Sequence, residues 1–144
     1  MSIKRILAVK GSHVITIKPD ATISDAAHIM TSRRIGALVV TDRQERIVGI
    51  ISERDILYCL DAETVDLKRP VSDIMTKEVV TGVPQDDIHA VAHIMTERRF
   101  RHLPVVMDEK LIGIISIGDV LKAQRDSYRG EIDTLETQIL ANDD

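Results

Sequence analysis

Two short stretches carry residues whose types and spacing suit ligand chemistry. Gly49-Ile50-Ile51-Ser52-Glu53-Arg54-Asp55 recurs as Gly113-Ile114-Ile115-Ser116-Ile117-Gly118-Asp119. Each sets a hydroxyl three residues ahead of a carboxylate, after an apolar run. One reading is a helix N-cap. Serine accepts from backbone N–H groups, and aspartate at the third helical position suits the positive end of the helix dipole. A second reading starts from the same physics. A helix N-terminus presents N–H groups that can hold a phosphate, and a carboxylate with two acceptor oxygens can take both hydroxyls of a ribose. The two readings are compatible.

The remaining candidates are poorer. His89 and His93 stand four apart on a helix, as in a zinc metalloprotease motif, but residue 90 is Ala where that motif has Glu. With no third ligand in view, they read as a surface pair and no metal is expected. Arg33-Arg34 and Arg98-Arg99 read as solvated helix ends, since aromatic residues for base stacking are nearly absent. Cys59 reads as a small buried hydrophobe. No nucleophile stands with a base and oxyanion donors, so the chain is not expected to be an enzyme. A small nucleotide-processing enzyme and a nucleic-acid-binding accessory protein are the rival readings.

The elements that must position the two motifs are themselves repeated. At an offset of 65, Val14, Thr16, Pro19, Ile23, Ala27, Met30, Arg34, Leu38 and Val40 fall on identical residues, from Val79 to Val105. One residue is then lost and Gly49 to Leu57 fall on Gly113 to Leu121 at an offset of 64. Two copies are too few for a solenoid and suit a pseudo-two-fold pair. Each half reads β-α-β-β-α, an α+β class. The first is a strand Val14–Ile17, a helix capped by Thr22 and running up to Arg34 before the breaker Gly36, strands Ala37–Thr41 and Ile47–Ser52, and a helix from Glu53 to Leu60. The second is a strand Val79–Val83, a helix Ile88–Arg99, strands Leu103–Met107 and Leu111–Ser116, and a helix from Ile117. The resulting division is 1–62 for repeat 1 with its lead-in, 63–69 for a linker, 70–125 for repeat 2 and 126–144 for a helical tail. Along that tail Tyr128, Ile132, Leu135 and Ile139 form a narrow apolar stripe, which either packs on the body or pairs with another subunit.

Composition limits the partners. Of 144 residues 44% are hydrophobic, enough for a core, and with only Phe100, Tyr58 and Tyr128 aromatic that core must be aliphatic. A net charge of -4 disfavours a dedicated nucleic-acid binder, which needs a clustered positive excess. A single cysteine excludes an intramolecular disulfide and fits a reducing, cytoplasmic setting. No signal peptide is evident, and no apolar run approaches the ~20 residues of a membrane span.

The two Gly-h-h-Ser-x-x-Asp motifs, the strands Ile35-Gly36-Ala37-Leu38-Val39-Val40 and Phe100-Arg101-His102-Leu103-Pro104-Val105, and the turn Asp73-Ile74-Met75-Thr76 resemble, twice and in order, a tandem pair of cystathionine-β-synthase (CBS) domains, or Bateman module. The resemblance covers about residues 3–125. It implies a regulatory module that binds adenosine-containing ligands (AMP, ADP, ATP, S-adenosylmethionine or NAD(H)) in two clefts between the repeats, forms disc-like homodimers and signals to an effector protein. Carried over residue by residue, one site would use Ser52 and Asp55 with Val79, Val80, Arg101 and His102. The other would use Ser116 and Asp119 with Val14, Ile15, Ile35, Gly36 and Ala37. The resemblance also implies unequal sites, since Gly36-Ala37, Val39 and Arg54 in repeat 1 face Arg101-His102, Pro104 and Gly118 in repeat 2. Arg54 would meet a second phosphate of a longer ligand or pair with Glu53 or Glu63. Arg101 would contact phosphate or sit solvated near Asp108 or Glu109.

Overall fold

The computed structural model describes residues 1–62 and 65–142. Eleven elements follow in order. They are α1 (Ile3–Lys10), β1 (Thr16–Ile17), α2 (Ile23–Arg33), β2 (Ala37–Thr41), β3 (Ile47–Ser52), α3 (Glu53–Leu60), a 3-10 turn (Val71–Asp73), α4 (Ile88–Arg98), β4 (His102–Met107), β5 (Lys110–Ser116) and α5 (Ile117–Asn142). The chain divides into two compact units. One holds His13–Thr81 with the hairpin tip Val106–Ile112; the other holds Met1–Ser12, Gly82–Val105 and the chain from Gly113 on.

In the first of these units the sheet order is β1-β2-β3. β1 runs parallel to β2 (Thr16 beside Val39), and β2 is antiparallel to β3 (Leu38 beside Ile51). The central strand is buried along its whole length, which suits its run of β-branched and leucine side chains. Ile17, Ala26, Met30, Leu38, Ile51 and Val71 form the core. Helix α2 begins in the expected capping box, Thr22 with Asp25. It ends where the spacing placed its end, on Arg34, which caps it in a left-handed conformation at φ 54° ahead of Gly36. The end of the linker has a definite task. The carbonyls of Leu67 and Arg69 accept the N–H groups of Ser24 and Ile23, which α2 cannot satisfy internally. Residues 63 and 64, where the linker was expected to begin, lie outside the described residues.

In the other unit Ile88, Val91, Met95, Leu103, Val105, Ile115 and Val120 are buried together with Ile3 and Ile6 of α1. The lead-in, grouped by sequence order with repeat 1, therefore packs among elements of repeat 2. Backbone bonds tie it there: Ile3 N–H to Asp86 O (3.0 Å), Lys4 N–H to Pro84 O (2.9 Å) and Ile88 N–H to Met1 O (3.0 Å).

The expected strand Val79–Val83 shrinks to one parallel bridge between Gly82 and Val105, with Gly82 N–H donating to Pro104 O at 2.9 Å. It matches the Ile17–Val40 pair of the other unit. Two causes are visible. A Cβ on Gly82 would stand 2.8 Å from Leu103 and 3.1 Å from Ile3 of α1, so the side-chain space of a strand residue is already filled. Just beyond, the Asp86 carboxylate takes the Val83 N–H and turns the chain. The last helix runs to Asn142, as its spacing suggested.

Gly49 and Gly130 make opposite demands. A Cβ on Gly49 would meet Met75 Sδ at 2.5 Å and the Thr76 carbonyl at 3.0 Å. Thr76 cannot retreat without breaking its two 2.9 Å backbone bonds to Ile50. Gly49→Ala is expected to lower stability by about 1–3 kcal/mol, the usual range for overpacking. Gly130→Ala, with nothing within 4 Å, is expected to raise it by up to about 1 kcal/mol. Thermal midpoints of the two variants decide both, and a neutral Gly49→Ala would mean that the Met75 strap yields.

A second expectation concerns acid. The Thr22 backbone N–H holds the Asp25 carboxyl below its ordinary 3.8, and the Arg46 backbone N–H does the same for Asp42 against partial desolvation. Their stabilising contribution is complete above the ordinary value and is lost as the pH falls through the lower folded values. Denaturant midpoints of the Asp25→Asn, Asp42→Asn double variant should therefore fall less than the parent's between about pH 6 and about pH 3. An equal fall would show that other carboxyls govern acid unfolding.

Candidate functional site

Each Ser-x-x-Asp motif sits where a strand turns directly into a helix. Glycine two residues into the run leaves room for the chain packed against it, the isoleucines fill the core face, and serine ends the strand with an extended backbone. At the first motif Ser52 caps α3. Its N–H donates to Asp55 Oδ2 at 2.8 Å, its hydroxyl donates to the same oxygen at 3.2 Å, and the Asp55 N–H reaches Ser52 Oγ at 3.4 Å. Both side chains are half-buried. Oδ1 of Asp55 takes no hydrogen bond among the described residues.

The strand that precedes the hairpin is bonded to this motif. Glu53 N–H donates to Gly36 O at 3.0 Å, and Ala37 lies opposite Ser52 in the ladder. Ile35, Gly36, Glu53, Ile56 and Leu57 line one open cleft on this unit. Ala27, Met30 and Thr31 of α2 and its cap Arg34 complete the mixed lining, and Ser52 and Asp55 stand outside it. Arg54 is exposed and makes no ion pair among the described residues, so the pairing with Glu53 is not formed; Glu63 lies outside those residues. Val14 and Ile15 are half-buried ahead of β1, and Val79 and Val80 are half-buried in irregular chain.

The second motif repeats the geometry and adds a cation. Ser116 N–H donates to Asp119 Oδ2 at 2.8 Å, and Asp119 N–H to Ser116 Oγ at 3.2 Å. Lys10 Nζ, from the last turn of α1, donates to the same Oδ2 at 2.6 Å and to Ile114 O at 3.0 Å. Burial pushes the Asp119 carboxyl up, but the Lys10 ammonium and the Ser116 N–H together outweigh it and hold the group below the ordinary carboxylate value.

The strand ahead of the hairpin again adjoins its own motif, with Ile117 N–H on Arg101 O at 2.8 Å. Arg101 is exposed and pairs with neither Asp108 nor Glu109, both of which hold the β4–β5 turn at positive φ. His102 is half-buried, Pro104 is buried, and Gly118 is exposed with only Ser116 Oγ, at 3.6 Å, near its would-be Cβ. Within each unit, then, Gly36-Ala37 adjoins Ser52-Asp55 and Arg101-His102 adjoins Ser116-Asp119.

Sequence reasoning missed Lys10. It lies in the lead-in, which has no counterpart in the repeat alignment, and nothing local marks it as the partner of a residue 109 positions away. Of the two histidines, His93 is exposed as expected, but His89 is better placed than a surface residue. His89 meets Gln124 at 3.0 Å and the Tyr128 ring at 5.5 Å between centroids, joining α4 to α5. Cys59 is half-buried, not fully buried as expected. Among the described residues no group of three His, Cys, Asp or Glu is placed to hold a metal.

The model of the CBS domain matches residues 7–62 and 71–126. A solved CBS-domain containing protein from Agrobacterium tumefaciens is 41% identical, with a TM-score of 0.83 over 86% of this chain and 99% of that one. A CBS domain protein of Pyrobaculum aerophilum, solved in complex with AMP, is 30% identical over 83% of this chain and 89% of its own, with a TM-score of 0.74. The CBS domain pair of protein MJ0100, solved with 5′-methylthioadenosine and S-adenosyl-L-methionine, is 27% identical over 88% of this chain and 98% of its own, with a TM-score of 0.78. Two matched domains, on two copies of one capped strand-to-helix switch, show that the chain belongs to the CBS-domain family and carries its domains as a tandem pair.

Proposed function

We propose that the chain is a regulatory module, not an enzyme, that binds adenosine-containing ligands (AMP, ADP, ATP or NAD(H)) at its two Ser-x-x-Asp motifs and passes the result to an effector protein in the cytoplasm. One observation carries this reading. In both motifs the capping box consumes only Oδ2, so each aspartate keeps Oδ1 beside the first turn of a helix. A ribose diol needs such an acceptor, and the N–H groups of the adjoining helix start suit phosphate. The solved complexes of relatives with AMP and with methylthioadenosine and S-adenosylmethionine support the ligand class. Arg54, exposed and without an ion pair, supports a preference of longer diphosphate ligands for the Asp55 motif. Regulation is then linkage: a ligand favours one arrangement over another only by its differential affinity.

Calorimetry with AMP tests the motifs. Asp55→Ala and Asp119→Ala each remove a charge-assisted acceptor worth about 1.5–3 kcal/mol, so each should weaken its own site roughly tenfold or more. If both single variants and the double variant bind AMP and NAD(H) as the parent does, the motifs are not the sites.

A homodimer is the second part of the reading, favoured by α5. Ile132, Leu135 and Ile139 are 54%, 58% and 61% exposed at the alternating spacing of a two-helix seam. Along that seam a parallel partner would set Glu131 against Glu136, whereas an antiparallel partner sets Arg129 against Glu136. A second copy running antiparallel is the occupant that fits. Light scattering should give a dimer for the parent and a smaller species for Ile132→Glu, Ile139→Glu; a parent that stays monomeric at high micromolar concentration would sink this part.

A further inference from the structure

Two motifs that match in sequence and in backbone bonding differ in what lies across them. At the first, the edge of β3 is closed by backbone alone: Ile50 and Thr76 exchange two hydrogen bonds of 2.9 Å. Among the described residues no cation reaches Asp55, which bonds only to Ser52. At the second, the equivalent carbonyl, Ile114 O, is taken by a side chain, and the same ammonium lies on Asp119. The contact is seated as well as charged. Leu7, one turn before Lys10, covers Gly113 so closely that a Cβ there would stand 2.6 Å from Leu7 Cδ2. The other end of α1 is anchored by the buried Ile3 and Ile6 and by backbone bonds to residues 84 and 86. Lys10 can therefore leave Asp119 by a side-chain rotation, with the helix still docked.

We propose that Lys10 is an intramolecular competitor at Asp119: its ammonium lies on Oδ2 and neutralises the carboxylate whose other oxygen, Oδ1, an adenosine ribose would use, so the Ser116–Asp119 motif binds well only when Lys10 gives way, while the Ser52–Asp55 motif carries no such cation among the described residues. The proposal rests on the reading of these motifs as adenosine sites. Asp119 is half-buried and Lys10 is exposed, so the pair resists a neutral diol somewhat more than two fully solvated groups would. A ligand that brings phosphate offers the displaced ammonium a new partner, whereas an uncharged nucleoside offers none. Lys10 thus ranks ligands by charge as well as delaying them.

The test isolates the second motif. In an Asp55→Ala background, AMP and adenosine binding are measured by calorimetry with Lys10 intact, with Lys10→Met, which keeps the stem and loses the charge, and with Lys10→Arg, which keeps the cation. Thermal midpoints check that each variant is folded. Lys10→Met should tighten adenosine binding about tenfold and AMP binding less, and Lys10→Arg should bind as the Asp55→Ala parent does. Unchanged or weaker adenosine binding in a folded Lys10→Met variant overturns the proposal while leaving the adenosine reading intact, provided the unmodified chain binds AMP. If neither the unmodified chain nor any variant binds AMP or adenosine, the adenosine reading fails and the competitor role fails with it.

Discussion

At the switch from strand to helix, a chain must leave one hydrogen-bonding pattern before the next is complete, and the first N–H groups of the helix are left without partners. Serine and aspartate three apart solve this reciprocally at Ser52–Asp55 and again at Ser116–Asp119. The solution fixes nearly everything around it. It allows β3 and β5 to run straight into α3 and α5 without a loop. It needs a glycine three residues upstream, where Met75 or Leu7 crosses the strand. It also leaves Oδ1 of each aspartate out of the cap, at a helix end that favours anions, and the proposed ligand chemistry would draw on that oxygen.

Much of this was legible because it is local or repeated. The capping boxes are written in three-residue spacings, the hairpins in turn residues, and the pairing of halves in an offset that barely drifts. The helix α3 was bounded at Glu53 and Leu60 from sequence and is found there. What was not legible depends on contacts between distant residues. Strand Val79–Val83 has sound β-formers, yet Gly82 is filled over by Leu103 and Ile3, and the strand reduces to a bridge. The end of α2 at Arg34 was legible from the spacing, but that Arg34 itself makes the left-handed turn was not, a conformation that non-glycine residues adopt at helix C-termini when the cap bonds reward it. At the site, the serines and aspartates were readable as a type; that one of the two carries its own lysine was not.

The two Ser-x-x-Asp motifs show how a duplicated fold acquires inequality without altering its signature. The residues that define the repeat are the same in both halves. The difference enters through the segment laid across each strand edge, backbone of Thr76 at one and side chain of Lys10 at the other. Such segments lie outside the repeating motif and can diverge while the capped switch is retained.

Helix α1 also sets an order in time. It is made well before the residues it contacts, which come more than 70 positions later: Gly82, Pro84 and Asp86, then Gly113 and Asp119. Ile3 and Ile6, buried in the finished unit, must remain exposed through most of synthesis, while the unit built from residues 13–81 has nearly all its chain in hand much earlier. The sequence separation of these contacts makes their closure the slow, entropically costly step. The unit that contains α1 therefore cannot be completed until the chain has been made as far as Asp119.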